Sequence, residues 1–311
     1  NTTDPLSSLG GITLPYGAIE QQEIYTGGYS AQYGRSDGGV INMVGKRGTN
    51  EWHFGGQVLW EPESAHADAA NTYYINGLPP SPPAGNLFDL NSKDRQWTRT
   101  YDAYIGGPLV KDKLFMFLAA EESTQDGANV DPVATSQDYY GSTQTYQRYH
   151  NTMPKWYGKL DWNITDSNIL ELTALNNRSS TGAGKTYEFD YNTLKSGAFV
   201  TPNDVIKDNA QFYLAHFTSY ITDAATLSIL YGKAHFQDPT IYGESSVSSL
   251  PYISRPYNEN PAYLPPGTGP NGITNGQTNT SWSSDKASNG THGLLVDFDY
   301  KLGDHDLAVG I

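Results

Sequence analysis

The chain has 311 residues, no cysteine, 37% hydrophobic residues and a formal net charge of -14. Its 23 Tyr, 6 Trp and 10 Phe argue against a disordered chain, because such rings are most stabilising when at least half buried. The acidic balance argues against nucleic-acid binding, which requires clustered Lys and Arg, and the absence of cysteine excludes a disulfide scaffold and a thiolate metal site.

Membrane-spanning helices are excluded, because the longest apolar run extends only from Leu114 to Ala120. A transmembrane β-barrel is not excluded. Each of its strands needs only about 9 to 11 residues in which every second side chain is apolar. The mean hydropathy of -0.55 is compatible with that arrangement.

The first distinctive segment, residues 20–50, is rich in glycine and contains a short, mostly apolar run at 40–44. The glycines suit tight turns and close backbone approach, and Val40, Ile41, Met43 and Val44 suit a buried strand. An ordinary Gly-rich hairpin explains the glycines. It does not explain why a strongly amphipathic segment begins immediately afterwards at Glu51.

From residue 51 onward, period-two alternation predicts an all-β structure with nine strands. In the first strand Trp52, Val58 and Trp60 share one apolar face, and the other face is mostly polar. For 114–121 both faces are apolar, so the pattern does not assign its sides. The nine predicted strands lie at about 52–61, 96–105, 114–121, 155–164, 169–176, 210–221, 226–236, 291–302 and 306–311.

The connections between these strands alternate between short and long. The short ones are 106–113, 165–168, 222–225 and 303–305; the long ones are 62–95, 122–154, 177–209 and 237–290. Bacterial barrels have short periplasmic turns and long extracellular loops. The pattern therefore predicts a barrel and its orientation, whereas a soluble sandwich has no reason to sort its loops in this way.

Tryptophans near the strand ends predict the aromatic girdles that border the apolar band of such barrels. Trp52 and Trp60 are eight residues apart, about 26 Å along a strand and about 20 Å after a tilt of about 40°. The predicted girdle residues are Trp52, Trp60, Trp97, Trp156 and Trp162.

The segment 20–50 resembles the C-terminal end of the plug domain of TonB-dependent receptors. The residues that carry this resemblance are Gly27, Gly28, Ser30, Tyr33, Gly34, Arg35, Gly38, Gly39, Val40, Ile41, Asn42 and Lys46. Gly106–Phe115 further resembles a Gly-Gly-Pro-Leu turn that joins the second and third barrel strands in the Oar-like subgroup. One departure is Gly45, where a hydroxyl residue is more usual.

The resemblance implies a plug remnant over residues 1–48 and the N-terminal part of a barrel over 49–311. Nine strands are then part of a 22-stranded barrel, and the chain is a fragment that lacks a signal peptide, the coupling segment and a closing strand. It also implies the outer membrane of a Gram-negative bacterium. The implied partners are outer-membrane lipid, the TonB complex through the missing coupling segment, and an unknown extracellular substrate.

Enzyme, metal and cofactor sites are not predicted, because no group of residues has the spacing of a nucleophile with its base or of metal ligands. Thr181–Thr186 resembles half a phosphate-binding loop, but Ser179 replaces the first glycine, so we interpret it as a loop tip. Glu121 and Glu122 are interpreted as hydrated carboxylates at a loop margin.

The sequence thus predicts a receptor that imports a substrate, with 62–95 and 237–290 as recognition loops. The candidate ligand residues in these loops are Tyr73, Tyr74, Tyr252, Tyr257 and Trp282. The alternatives are a passive porin-like barrel, which the plug-like segment disfavours, and a secreted β-rich adhesin, which the lipid-facing alternation disfavours.

Overall fold

A computed structural model describes residues 13–26, 40–75, 84–132, 144–241 and 288–311 of the chain. Nearly all of the ordered backbone in these ranges is antiparallel β-structure, apart from three short 3₁₀ turns. Within the same ranges, no helix is long and apolar enough to cross a membrane.

Fifteen strands are present in the described ranges. They are β1 (Ile19–Tyr25), β2 (Val40–Gly45), β3 (His53–Glu61), β4 (Thr72–Tyr73), β5 (Leu87–Asp89), β6 (Arg95–Val110), β7 (Leu114–Val130), β8 (Thr145–Thr165), β9 (Asn168–Asp190), β10 (Lys195–Pro202), β11 (Val205–Thr222), β12 (Ala225–Gln237), β13 (Thr240–Ile241), β14 (Asn289–Leu302) and β15 (His305–Gly310). The strand pairs β1–β2 and β4–β5 form two small sheets of their own.

The main sheet follows the chain order, because each long strand pairs antiparallel with the next one. Its path is β3-β6-β7-β8-β9-β11-β12-β14-β15, with β10 beside β9 and β13 beside β11. These nine strands are the nine predicted from alternation, so the all-β antiparallel prediction is confirmed. The short turns 165–168, 222–225 and 303–305 are confirmed as well.

Two of the predicted long loops are largely wrong, because the strands continue far into them. β7 extends to Val130, and the segment 177–209 is almost entirely occupied by β9, β10 and the start of β11. The 23 residues of β9 span about 76 Å, several times the apolar band of about 25 Å. Outside that band both faces of a strand are polar, so no apolar alternation marks it in the sequence.

The two faces of the main sheet have the opposite character from those of a soluble protein. The apolar side chains point outward and are exposed, as for Phe54 (80%), Val58 (64%) and Trp162 (46%). Polar groups on the inner face are buried, among them Asp102, Glu121 and Asp161. The predicted alternation of faces is therefore confirmed.

The structure also assigns the two faces of 114–121, which the sequence left open. Phe117, Ala119 and Glu121 point inward and are buried, whereas Leu118 is 48% exposed on the outer face. The outer face of β7 changes from apolar to polar at Glu122. The apolar part of the outer face of β8 extends from Trp156 to Ile164, about 26 Å along the strand.

The outer face of β3 provides a test of its contact with lipid. We expect Val58→Arg to lower the free energy of unfolding in lipid vesicles by about 2 to 4 kcal/mol, because a charge would enter the apolar band. The matched control is Gln57→Arg, which places the same charge on the opposite face of the strand. Denaturant unfolding in vesicles measures both, and equal losses for the two variants would contradict a lipid-facing Val58.

Candidate functional site

Two short segments that flank the β1–β2 hairpin lie against the inner face of the main sheet. The first, Thr13–Ala18, includes the fully buried Pro15 and Ala18. Ala18 packs into the inner-face core together with Phe117 and Tyr157. The second, Lys46–Asn50, leads from β2 to β3 and is joined to the first by the hydrogen bond from Lys46 N to Ala18 O (2.7 Å).

Backbone hydrogen bonds hold these segments on the wall. The Tyr16 N–H donates to Glu121 Oε2 (2.8 Å), and the Tyr157 hydroxyl donates to the carbonyl of Lys46 (3.2 Å). The Gly17 N–H donates to the Asp102 carboxylate. The docking therefore gives Glu121 and Asp102 hydrogen-bond donors and the Tyr157 hydroxyl an acceptor, while the buried Asp102 Oδ2 has no hydrogen-bond partner among the described residues.

Close approach explains Gly48 of the second segment and Gly45 at the end of β2. A Cβ at Gly48 would lie 2.4 Å from the backbone oxygen of Met116, which has no room to move away. A Cβ at Gly45 would lie 2.5 Å from the Tyr157 hydroxyl. The glycine at position 45, which departs from the family pattern, is therefore the residue that lets Tyr157 reach the Lys46 carbonyl.

Charged side chains surround the contact. Glu121 is 2% exposed at its side chain and pairs with Lys155 at 3.0 Å. Lys159 lies 2.8 Å from Glu171 and 3.5 Å from Asp161. Four wall carboxylates, Asp102, Glu121, Asp161 and Glu171, thus face two wall lysines.

The docked segment supplies further positive charge. The Lys46 ammonium lies 4.7 Å from the centre of the Tyr104 ring and attracts the Asp102 carboxylate, and Arg47 attracts that of Asp161. The network continues along the wall, where His216 contacts Glu171 (3.0 Å) and the Ser228 hydroxyl (2.9 Å). Charge complementarity therefore adds to the hydrogen bonds.

The second segment is also tied to the turn between β6 and β7. The Asn50 side chain donates to Asp112 Oδ1 (2.7 Å) and accepts from the Asp112 N–H (2.8 Å). Asp112 has a φ of 63°, an uncommon conformation for a residue other than glycine. The paired hydrogen bonds stabilise this turn at the point where the chain enters β3.

Only part of the predicted motif falls in the described residues. Asn42 donates to Glu23 Oε2 (3.3 Å), and Lys46 lies at the contact just described. Hydrogen bonds from Tyr25 and Asn42 lower the pKa of Glu23. The remaining motif residues, Gly28, Ser30, Tyr33, Gly34, Arg35, Gly38 and Gly39, lie outside the described residues.

The expected burial of the apolar run in β2 is wrong in part. Val44 is 41% exposed and Met43 is half-buried. The reason is that β2 pairs only with β1, and no described residue covers the exposed side of Val44.

The predicted girdle tryptophans are on the outer side of the sheet. Trp52, Trp60, Trp156 and Trp162 are between 40% and 66% exposed, and Trp97 is half-buried with the Arg99 guanidinium 4.3 Å from its ring centre. Of the predicted loop residues, Tyr73 is 51% exposed and Tyr74 packs edge-on against Phe88. Tyr252, Tyr257 and Trp282 lie outside the described residues.

Loop 62–95 packs against the ends of the long hairpins. Leu90 is buried with Val130 and Phe189, and Asp94 Oδ1 accepts the Val130 N–H (3.0 Å). Burial, with the nearby Asp89 and Asp131 carboxylates, raises the pKa of Asp94. This loop therefore carries an acidic group whose charge the fold disfavours.

Sequence reasoning missed Glu121, Lys155, Asp102 and Tyr157 as contact residues, and the interpretation of Glu121 as a hydrated carboxylate is wrong. Glu122 does point outward and is exposed, as expected. The period-two alternation could have predicted this position, because it places Glu121 on the same face of the strand as Phe117 and Ala119.

The contact at Glu121 can be tested by hydrogen exchange. We expect Glu121→Ala to speed amide exchange in residues 13–18 and to lower the free energy of unfolding by about 1 to 3 kcal/mol, because Tyr16 N–H and Lys155 lose their acceptor. The neighbouring Glu122→Ala is the control. Unchanged exchange in Glu121→Ala would show that this carboxylate does not hold the segment.

The pH dependence of loop 62–95 tests the role of Asp94. Its raised pKa means that the folded loop binds the proton more tightly than the unfolded loop does. The loop therefore loses stability as the pH rises from about 3.9 through the higher folded-state value. We expect Asp94→Asn to slow limited proteolysis of the loop at pH 7, with exposed Asp68→Asn as the control. Faster cleavage of Asp94→Asn would contradict the assignment.

Known proteins include a relative of this chain in sequence and solved structures that are similar to it. No protein-family model matches the chain. The chain is 30% identical over 117 residues to the TonB-dependent transporter Oar of Myxococcus xanthus, a match that covers 38% of this chain and 10% of that protein. The matched segment thus spans about a tenth of the relative.

Two solved structures are similar to this chain at low sequence identity. The ferric-catecholate import receptor Fiu from E. coli K12 has a TM-score of 0.36 and 13% identity, covering 94% of this chain and 59% of that one. The copper transporter OprC has a TM-score of 0.34 and 10% identity, covering 88% and 42%. The chain thus resembles a TonB-dependent transporter in sequence over 117 residues, and the motif over residues 27–46 and the antiparallel sheet with an apolar outer face accord with that resemblance.

Proposed function

We propose that this chain belongs to an outer-membrane receptor of a Gram-negative bacterium that binds a solute from outside and imports it actively. The observation that carries the proposal is the docking of Thr13–Ala18 and Lys46–Asn50 on the polar inner face of a sheet whose outer face is apolar. A passive porin has no need of such docked segments. A secreted adhesin would not expose such an apolar outer face, because that face would be in contact with water.

The division of the chain follows from the same contact. Residues 1–48 are the end of a plug, and residues 49–311 are the first part of a barrel wall. The boundary falls between Gly48, packed on Met116, and Asn50, bound to the β6–β7 turn. A plug is physically necessary, because a lumen as wide as that of a 22-stranded barrel would otherwise leak.

Active transport needs an external source of energy, since the outer membrane has no ATP or ion gradient of its own. The proposed source is the TonB complex, which pulls on the plug. The plug–wall contact suits this role because it combines hydrogen bonds with the attraction of Lys46 and Arg47 for the wall carboxylates. Water can replace such partners when the plug moves, so each bond has a net value of only about 1 kcal/mol.

The proposed placement in the membrane follows the outer face. Lipid contacts the apolar outer side chains, and the girdle tryptophans lie at the two interfaces. The short turns 165–168, 222–225 and 303–305 are periplasmic, and the long hairpins extend into the extracellular water. The proposal involves no catalysis or cofactor, and the relative in sequence is itself a transporter.

Recognition is assigned to the loops 62–95 and 237–290. In the first, the exposed Tyr73 lies on the small sheet of β4 and β5, which packs near the ends of the hairpins. An aromatic ring held on an ordered loop contributes contact area at low entropic cost. The loop is thus suited to hold a solute above the plug.

Protease accessibility in intact cells tests this orientation. We expect a specific protease site inserted at Asp68 to be cleaved from outside, because loop 62–95 is extracellular in the proposal. The same site inserted at Ser167, in the turn between β8 and β9, should be cleaved only after the outer membrane is opened. Both products are measured by immunoblot.

The reverse pattern would invert the topology. Cleavage of both sites in intact cells, or recovery of the protein outside the outer-membrane fraction, would contradict a membrane-spanning wall. The wild-type chain without an inserted site controls for adventitious cleavage.

A further inference from the structure

A polar cavity lies on the inner face of the sheet, separate from the contact between the docked segments and the wall. Its volume is about 670 Å³, within the range of small-molecule sites. The lining residues include Gln125, Gln147, Tyr149, Asn151, Thr186 and Asn203. Gln125 follows Glu121 by four residues on the same face of β7, so the cavity begins about 13 Å from the plug contact along the strand.

The cavity forms where two neighbouring strand pairs are irregular at the same level. The β8–β9 register shifts between His150 and Thr152, and Gly182 opposite has a φ of 87°. On the next strand the ladder is interrupted between Pro202, the end of β10, and Val205, the start of β11. Irregularities of this kind occur preferentially beside functional sites, where they redirect side chains.

Side chains replace the backbone hydrogen bonds that this interruption removes. Asn151 Oδ1 accepts the Gly182 N–H (2.8 Å), and the Asn203 side chain donates to the carbonyl of Arg148 (2.9 Å). Asn203 Oδ1 also accepts from the buried Thr186 hydroxyl (2.7 Å). The cavity is therefore held open by specific hydrogen bonds, and it is not the result of a frayed edge.

The same bonds fix which polar atoms remain for a ligand. Gln125 Oε1 accepts from Asn151 (2.8 Å), which leaves the Gln125 amide N–H groups as donors. Gln147 Nε2 donates to Asp131 (3.1 Å), which leaves Gln147 Oε1 as an acceptor. In the described part of the chain these two atoms and the Tyr149 hydroxyl have no hydrogen-bond partner.

The electrostatics of the cavity disfavour an anion. The lining residues include no lysine or arginine and one carboxylate, Asp204, and the neighbouring Asp131 is also acidic. A neutral ligand that both donates and accepts hydrogen bonds fits this set of groups. Adjacent sugar hydroxyls do so, because each hydroxyl carries one donor and two acceptor sites.

We propose that this cavity binds an uncharged carbohydrate, a unit of two or three sugar rings. The proposal rests on the proposed receptor function and names the class of solute that the receptor takes. Gln125 donates to a sugar hydroxyl, Gln147 accepts from one, and Tyr149, which packs on the backbone of Gly127, presents its hydroxyl beside them.

Calorimetry on the purified receptor in detergent tests the proposal. The probes are maltotriose and cellotriose as neutral trisaccharides, trigalacturonate as a charged one, and triglycine as a peptide. We expect saturable binding of a neutral trisaccharide, at least about tenfold weaker binding of trigalacturonate, and about fivefold weakening in Gln125→Ala and in Gln147→Ala. The control Gln57→Ala removes an exposed amide from the inner face of β3, far from the cavity.

The melting temperature of each variant is measured as well. A loss of binding counts only in a variant whose melting temperature equals that of the wild type. Absence of saturable binding for both neutral trisaccharides overturns the inference, as does binding of triglycine alone. If the receptor still fractionates with the outer membrane and keeps its protease topology, the receptor function stands and only the carbohydrate site fails. Failure of fractionation counts instead against the receptor function.

Discussion

The fold depends on one constraint, the pairing of every backbone N–H and C=O in a wall that borders an apolar medium. The main sheet meets it through a continuous series of antiparallel pairs from β3 to β15, in which each of the nine long strands lies beside the next long strand of the chain. Because the backbone is satisfied within the sheet, the side chains are left to distinguish the two faces. The outer face is apolar, and the polar groups that carry function are confined to the inner face.

This constraint explains what the sequence could predict. The presence of each strand and the assignment of its two faces were predictable, because lipid contact requires an apolar residue at every second position. Trp52 to Trp60 and Trp156 to Ile164 are examples. Strand length was not predictable. Beyond the apolar band both faces of β9 meet water, so Thr181–Thr186, interpreted as a loop tip, is in fact part of that strand. The hydrogen-bond ladder continues there without a hydrophobic pattern to mark it.

The candidate site was predictable only on the plug side. The family pattern singled out Asn42, which binds Glu23 of β1, and Lys46. The wall partners of Lys46, Tyr104 and Tyr157, lie on β6 and β8, far along the chain. No local pattern links Lys46 to Tyr157, or Tyr16 to Glu121. Alternation assigns Glu121 and Tyr157 to the inner face, and only the register between strands brings them beneath the docked segment.

The balance of charge at this contact bears on how the proposed receptor works. Four wall carboxylates face two wall lysines, and Lys46 and Arg47 of the docked segment supply the two remaining positive charges. Withdrawal of the segment would remove Lys46 and Arg47 from beside the wall carboxylates, and their attraction favours return of the plug. The attraction is moderate in an opened, hydrated lumen, so a transient pull can displace the segment and the charges can restore it. The apolar part of the contact, Pro15 and Ala18, acts in the same direction, because its exposure to water in the open state is unfavourable.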